Sequence, residues 1–251
     1  MFHDLGYPWQ YAERVQGNLD GMNTPAVKQN RGAGEVVRLF GHRLLLDALQ
    51  GYQAQNAARP SGWHDRVVRL TDAALKKTHG LPGALGFLHL NDCVRRFPSR
   101  RESPLHLLCV EWVAAAIMMH DMCKIYWGKP AAGSATPDNP FMRLSFNMDP
   151  VSAFVTLVDV IQDFERPAAE FGRAAGPTWE RVTVNYETAC LATELESSGR
   201  SLTIRYMMDS PCSRAIKQRC LVKERREYFD PQYGYLDMGS LGFEKVELLA
   251  S

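Results

Sequence analysis

Ser103-Pro-Leu-His-Leu-Leu-Cys-Val-Glu-Trp-Val-Ala-Ala-Ala-Ile-Met-Met-His120-Asp121-Met-Cys-Lys124 is the stretch on which the fold turns. Ser103 suits a helix N-cap, and Pro104 stands at the first helical position, where its missing N–H is of little consequence. Leu105, Cys109, Trp112, Ala116 and His120 follow at steps of three and four, which predicts that they share one helical face and that His120 lies on the core-facing stripe. A long apolar helix thus ends in an imidazole beside a carboxylate.

Helical patterns extend on both sides of this segment. Trp9 to Leu19 is a short amphipathic stretch, followed by a Gly/Asn-rich loop. Glu35 to Gln53 and Asp65 to Lys77 carry apolar residues at helical spacing. Gly80-Leu-Pro82-Gly83 reads as a junction, after which Ala84 to Phe97 resumes the pattern, and Val151 to Phe164 forms a last strong helix before Arg166-Pro167. Beyond Pro177 the texture changes. Val182 to Tyr186, Leu202 to Tyr206 and Phe243 to Leu248 alternate as strands do, with a basic helix predicted from Ser210 to Tyr228. The expectation is a mainly α protein, with a helical domain over 1–176 and a small α+β subdomain over 177–251.

Composition supports an ordinary globular chain. Of 251 residues, 45% are hydrophobic and 23% charged, and 29 Lys and Arg against 28 Asp and Glu give a net charge of +1. This excludes extensive disorder and any global attraction to nucleic acid or anionic lipid. No apolar run is long enough to span a bilayer, and the first residues have neither the basic nor the apolar part of a leader. Six cysteines without a CxxC pair read as reduced thiols, so a cytoplasmic location is expected.

Chemistry concentrates in a few places. Val151 to Ile161 is a run of apolar and small residues interrupted by Asp159. A carboxylate in such surroundings needs a partner, a hydrogen bond or a metal. His120 with Asp121 offers nitrogen and oxygen donors suited to a divalent cation, and helical bundles build metal centres from ligands on separate helices.

These residues resemble a family. His120-Asp121-Met-Cys-Lys124 after Ala-Ala-Ala-Ile-Met-Met resembles the His-Asp helix end of the HD superfamily of metal-dependent phosphohydrolases. Leu157-Val-Asp159-Val-Ile-Gln162, leading to Arg166-Pro167, is similar to that superfamily's closing helix with its last metal-binding aspartate. His79-Gly80 resembles a helix start that supplies a further histidine, and His3-Asp4-Leu-Gly6-Tyr7-Pro8 resembles the name-giving His-Asp motif. The resemblance covers about residues 1 to 168. It implies an HD-type helical bundle with His3, Asp4, His79, His120 and Asp159 as ligands of a divalent metal, whether Mn, Fe, Mg, Ni or Zn.

Two registers stay open. If His3-Asp4 is the name-giving pair, a leading helix and its histidine are expected upstream of Met1, and the chain is a shortened two-metal form. If His120-Asp121 is that pair, His79 leads, Asp159 closes a one-metal site and His3-Asp4 is incidental. His79, His120 and Asp159 belong to both.

The resemblance further implies hydrolysis of a phosphoester such as a nucleotide. Asp121 or Asp4 would bind or bridge metal and help deprotonate water, Lys124 would neutralise phosphate charge, and Arg166 would contact substrate unless it pairs with Asp163 or Glu165. A non-catalytic sensor or scaffold with an incomplete metal site is the rival expectation, and a di-iron oxygenase would use the same His/Asp set. His64-Asp65 reads as a structural helix start, and His42, His89 and His106 as packing residues. Arg214, Lys217, Arg219, Lys223, Arg225 and Arg226 form the one basic cluster, but Glu224 and Glu227 interrupt it and no aromatic platform accompanies it, so a solvated helix face is favoured over nucleic-acid binding. The apolar C-terminal strands leave a protein interface, and with it a homo-oligomer, open.

Overall fold

The computed structural model describes residues 41–49, 62–95, 104–128, 136–162 and 190–251. The chain is mainly helical with a small sheet region, and it divides into two compact units, Met1–Thr156 and Leu157–Ser251. The expected boundary near 176 lies outside the described residues, as do the patterns at Trp9 to Leu19 and Val182 to Tyr186.

In the first unit a helix over 41–49 (α1) precedes α2 (Trp63–Lys77), α3 (Gly80–Arg95), α4 (Pro104–Met119) and the short α5 (Cys123–Trp127). Helix α2 turns Val67, Leu70, Ala74 and Leu75 inward, with Asp65 in its first turn and Lys76 and Lys77 in its last, both charges matching the helix dipole. Leu45, Leu49, Leu81 and Ala84 are fully buried. A fully buried aliphatic side chain of leucine size contributes roughly 1.5–3 kcal/mol.

Two expectations change here. Gly80 to Gly83 is not a junction but the first turn of α3. Proline is tolerated in a first turn because its missing N–H would have no intrahelical partner there, so Pro82 does not delay the helix. The link between α2 and α3 shrinks to Thr78 and His79. The face of α4 also differs from the predicted one. Cys109 and Trp112 are exposed, Trp112 by 58%, while Val110 and Ala114 point inward. From Ala116 to His120 every residue is buried, so His120 is enclosed because this end of α4 is covered all round and not because it continues a stripe.

After α5 the chain turns at Gly128, whose φ of 63° places it in the left-handed region. Asn139 fastens the following loop, its side-chain amide donating to the Ile125 carbonyl at 2.7 Å while its Oδ1 accepts from Arg66 at 2.8 Å. Helix α6 (Pro150–Ile161) begins in the first unit and ends in the second.

The second unit contains β1 (Cys190–Ser198), β2 (Ser201–Met208), α7 (Pro211–Tyr228) and β3 (Lys245–Ala250). β1 and β2 are antiparallel and joined by the two-residue turn Gly199-Arg200, where Gly199 has φ 57°. β2 and β3 run parallel, connected through α7. Strands at Leu202 to Tyr206 and at the C-terminus, and the helix from Ser210, agree with the sequence reading. Ser210 caps α7 by accepting the Ser213 N–H at 3.2 Å, and Pro211 follows in the first turn. Leu202, Ile204 and Tyr206 on β2 and Leu248 on β3 are buried with Leu221 of α7.

The basic cluster of α7 is solvated, with one exception. Lys217 is buried, its ammonium lying 4.0 Å from the centroid of the Tyr206 ring and 3.1 Å from Glu224 Oε1. A buried ammonium held by a carboxylate and an aromatic face is a packing element rather than a surface charge. No helix among the described residues is long and apolar enough to cross a membrane. Cys109, Cys123, Cys190, Cys212 and Cys220 are free thiols.

Candidate metal centre

The site grows out of the two-residue link between α2 and α3. Gly83 N–H donates to the His79 carbonyl at 2.8 Å, so His79 stands at the N-terminal cap of α3. This end of α3 abuts the end of α4. A Cβ at Gly80 would lie 2.6 Å from the Met118 carbonyl oxygen, 2.8 Å from that of Ile117 and 3.2 Å from Asp121 Cβ. Only a residue without a side chain permits that approach.

Across the contact Asp121 reaches the cap. Its Oδ2 accepts the His79 backbone N–H at 2.7 Å and lies 2.8 Å from His79 Nδ1. A carboxylate at a helix N-terminus satisfies an orphan donor and suits the positive end of the dipole. Burial raises the Asp121 carboxyl, but the hydrogen bonds from the His79 ring and backbone N–H and the Lys124 ammonium outweigh it and hold the group below the usual carboxylate range.

His120 is anchored by the same end of the ring. Its Nδ1 lies 2.6 Å from the Ile117 carbonyl, which can only accept, so Nδ1 carries the hydrogen. The same logic assigns the hydrogen of His79 to Nδ1, against the Asp121 carboxylate. Both Nε2 atoms then present lone pairs, and they lie 3.2 Å apart with the rings at 68°. Two acceptors at that distance repel unless a proton or a cation sits between them.

The donor set fits a metal edge. Nitrogens about 2.0–2.1 Å from a shared tetrahedral cation lie roughly 3.3–3.4 Å apart. Imidazoles that bind through one nitrogen while giving the other N–H to a carboxylate or a backbone carbonyl are the usual arrangement around protein metals. Among the described residues no group of three or more His, Cys, Asp or Glu is placed to hold a metal, so the fit is of two nitrogens.

The other sequence candidates fall as follows. His79, His120 and Asp121 come together. Asp121 is behind the His79 ring, orienting it, and not beside the Nε2 pair. Lys124 is exposed on the first turn of α5, its charge felt by Asp121. Asp159 belongs to the second unit and is half-buried, less enclosed than its apolar setting predicted, because α6 buries Ser152, Ala153, Thr156 and Leu157 and leaves Val158 partly exposed. His3, Asp4 and Arg166 lie outside the described residues.

Sequence reasoning missed the Ile117 carbonyl as the anchor of His120, and it missed a second histidine pair. His42 on α1 and His64 on α2 meet edge to face with centroids 4.7 Å apart. Both His42 nitrogens are buried without a hydrogen-bond partner among the described residues, and burial, followed by the charge of His64, lowers its pKa. No spacing rule links residues on elements that meet only in the fold. Comparison with protein-family models, curated proteins and solved structures gave no match.

Proposed function

We propose that the first unit is an HD-type helical bundle whose His79–His120 pair holds a divalent metal, and that the chain hydrolyses a phosphoester. The observation that carries this reading is the 3.2 Å separation of two Nε2 atoms whose opposite ring nitrogens are both anchored to oxygen acceptors. The proposal uses these two ligands alone.

A cation bound there would supply Lewis-acid polarisation of a phosphoryl oxygen and a more acidic bound water. The chain's own residues do the rest. Asp121 and the Ile117 carbonyl fix the tautomer and orientation of the two rings. The negative charge of Asp121 makes the His79 imidazole a better electron-pair donor. Lys124, one turn on and exposed, is placed to attract an anionic substrate.

A second reading has an observation of its own. Because Asp121 is engaged behind His79, a two-nitrogen edge also suits a metal that is structural or sensed, in a protein that turns nothing over.

Metal content and turnover separate the two. Folded protein, stripped and reloaded separately with Mn, Fe, Ni, Co and Zn, is expected to retain one cation per histidine pair and to hydrolyse p-nitrophenyl phosphate or a nucleoside monophosphate. His79→Gln and His120→Gln should each lose both properties while keeping a native circular-dichroism spectrum. Retained metal without turnover on a broad phosphoester panel would select the second reading, and neither metal nor turnover would end both.

A further inference from the structure

Between the end of α7 and the start of β3 the chain of the second unit wraps round a small cavity of about 200 Å³. Its floor is apolar and buried, made by Phe229 just past the last turn of α7, by Leu236, and by Met238 on the short 3₁₀ helix Met238–Leu241. Half-buried Phe243 and Val246 form the wall. Backbone hydrogen bonds hold this frame: Gly234 N–H donates to the Asp230 carbonyl at 2.8 Å, and Phe243 N–H to that of Met238 at 3.0 Å. Only glycine fits the turn at Gly234, since a Cβ there would lie 2.6 Å from both the nitrogen and the carbonyl oxygen of Asp230. The cavity is therefore formed before any ligand arrives, which lowers the ordering cost of binding.

The ionisable groups in its lining are two carboxylates, Asp230 and Glu244. Glu244 is exposed and pairs with Arg200 at 2.5 Å. Asp230 is half-buried, and its Oδ1 accepts the backbone N–H groups of Gln232 at 3.0 Å and of Tyr233 at 2.7 Å. Those two bonds use one oxygen and fix the carboxylate at the rim without neutralising it. An anion is repelled from such a mouth, and a neutral ligand gains nothing from the charge. A cation is attracted, and the phenyl rings of Phe229 and Phe243 in the same lining add to that preference. Size narrows the class further. An apolar cavity of about 150 Å³ holds benzene, so about 200 Å³ admits one six-membered ring with a short aminoalkyl arm.

We infer that this cavity binds a small organic ammonium, its apolar ring seated on Phe229, Leu236 and Met238 and its cationic nitrogen at Asp230. The site lies within the second unit and does not depend on the metal reading.

The test uses the full chain with isotope-labelled methionine methyls, so that the Met238 resonance, assigned with Met238→Leu, reports from the floor of the cavity. Titrated with phenethylammonium, that resonance is expected to shift and saturate with a Kd of about 0.1–1 mM. Phenethyl alcohol, alike in shape but uncharged, and phenylacetate, of opposite charge, should each bind at least about tenfold more weakly. Asp230→Asn keeps an acceptor for the turn and removes the charge, so it should weaken the ammonium about tenfold and leave the alcohol unchanged. Val246→Phe narrows the cavity and should abolish binding of both, with its fold checked by circular dichroism. If that variant does not fold, the Asp230→Asn comparison still decides. A Met238 resonance unmoved at about 10 mM ammonium would overturn the inference. Equal affinity for ammonium and alcohol, tighter binding of phenylacetate, or an Asp230→Asn protein that binds the ammonium as the wild type does would each overturn it as well.

Discussion

Asp121→Asn is the most revealing single change, because one oxygen of this carboxylate serves both the helix cap and the imidazole. Oδ2 accepts two hydrogens, from the His79 backbone at 2.7 Å and from its ring at 2.8 Å. A hydrogen bond to a charged group is worth about 1.5–3 kcal/mol and a neutral one about 0.5–1.5. Losing the charge should therefore remove about 1–1.5 kcal/mol per bond, or about 2–3 kcal/mol in all. With a slope of about 2 kcal/mol/M this is a fall of about 1–1.5 M in the urea midpoint. If the pair binds metal, loss of an orienting carboxylate should also weaken binding by about 10–100-fold, read by Co(II) absorbance or calorimetry. The pH dependence adds a sign. The folded carboxyl lies below its ordinary 3.8, so the unfolded chain takes up the proton first as pH falls. The stabilisation is fully present above about pH 5 and is lost as pH drops from 3.8 through the folded value. The gap between wild type and Asp121→Asn should thus be constant from pH 5 to 8 and close in acid. Equal midpoints at pH 7, or a gap that persists in acid, would refute the assignment of Asp121 as a charged anchor.

Gly80→Ala should cost about 1–3 kcal/mol by thermal or urea unfolding, since its Cβ meets two backbone carbonyls that cannot swing away, and wild-type stability in this variant would show that α3 stands further from α4. His42→Leu should remove an acid-labile element. The folded pKa of His42 is below 6.5, so wild-type stability should decline as pH falls from 6.5 through the folded value, and urea midpoints of the leucine variant at pH 7.5 and 5.5 should differ less than those of the wild type.

The parts of this protein that were legible in its sequence are those whose cause is local. The helical span of α7 and the alternation of β2 depend on a few neighbouring residues, and both can be read from the sequence. His79 at a helix start and His120 in a buried place could also be named in advance. Periodicity nevertheless misassigns the cause of the His120 burial, because it gives a helix one inward face and cannot show that other elements enclose an entire end. β1 was invisible for the opposite cause. Its residues are mostly exposed on both faces and it includes two glutamates, so no buried stripe marks it, and it exists because β2 offers it a ladder of partners. Lys217 read as one of six surface charges, and only the approach of Tyr206 makes it part of the interior.

Asp121 marks the deeper limit of such reading. Adjacent to His120 in sequence, it invites a role beside that ring at a shared cation. In the fold it serves the other histidine, and the reason lies in how two helix ends meet. Gly80 lets the start of α3 rest against the Ile117 and Met118 carbonyls. The same Ile117 carbonyl holds His120, and the same approach delivers the backbone and ring of His79 to Asp121. One contact between helix ends therefore positions both imidazoles. Any displacement of α3 along α4 alters the distance between the two Nε2 atoms and the anchors of both rings together. The two imidazoles cannot be tuned independently, so if the pair binds metal, substitutions at the helix junction, well away from either Nε2, should change metal affinity and stability in parallel.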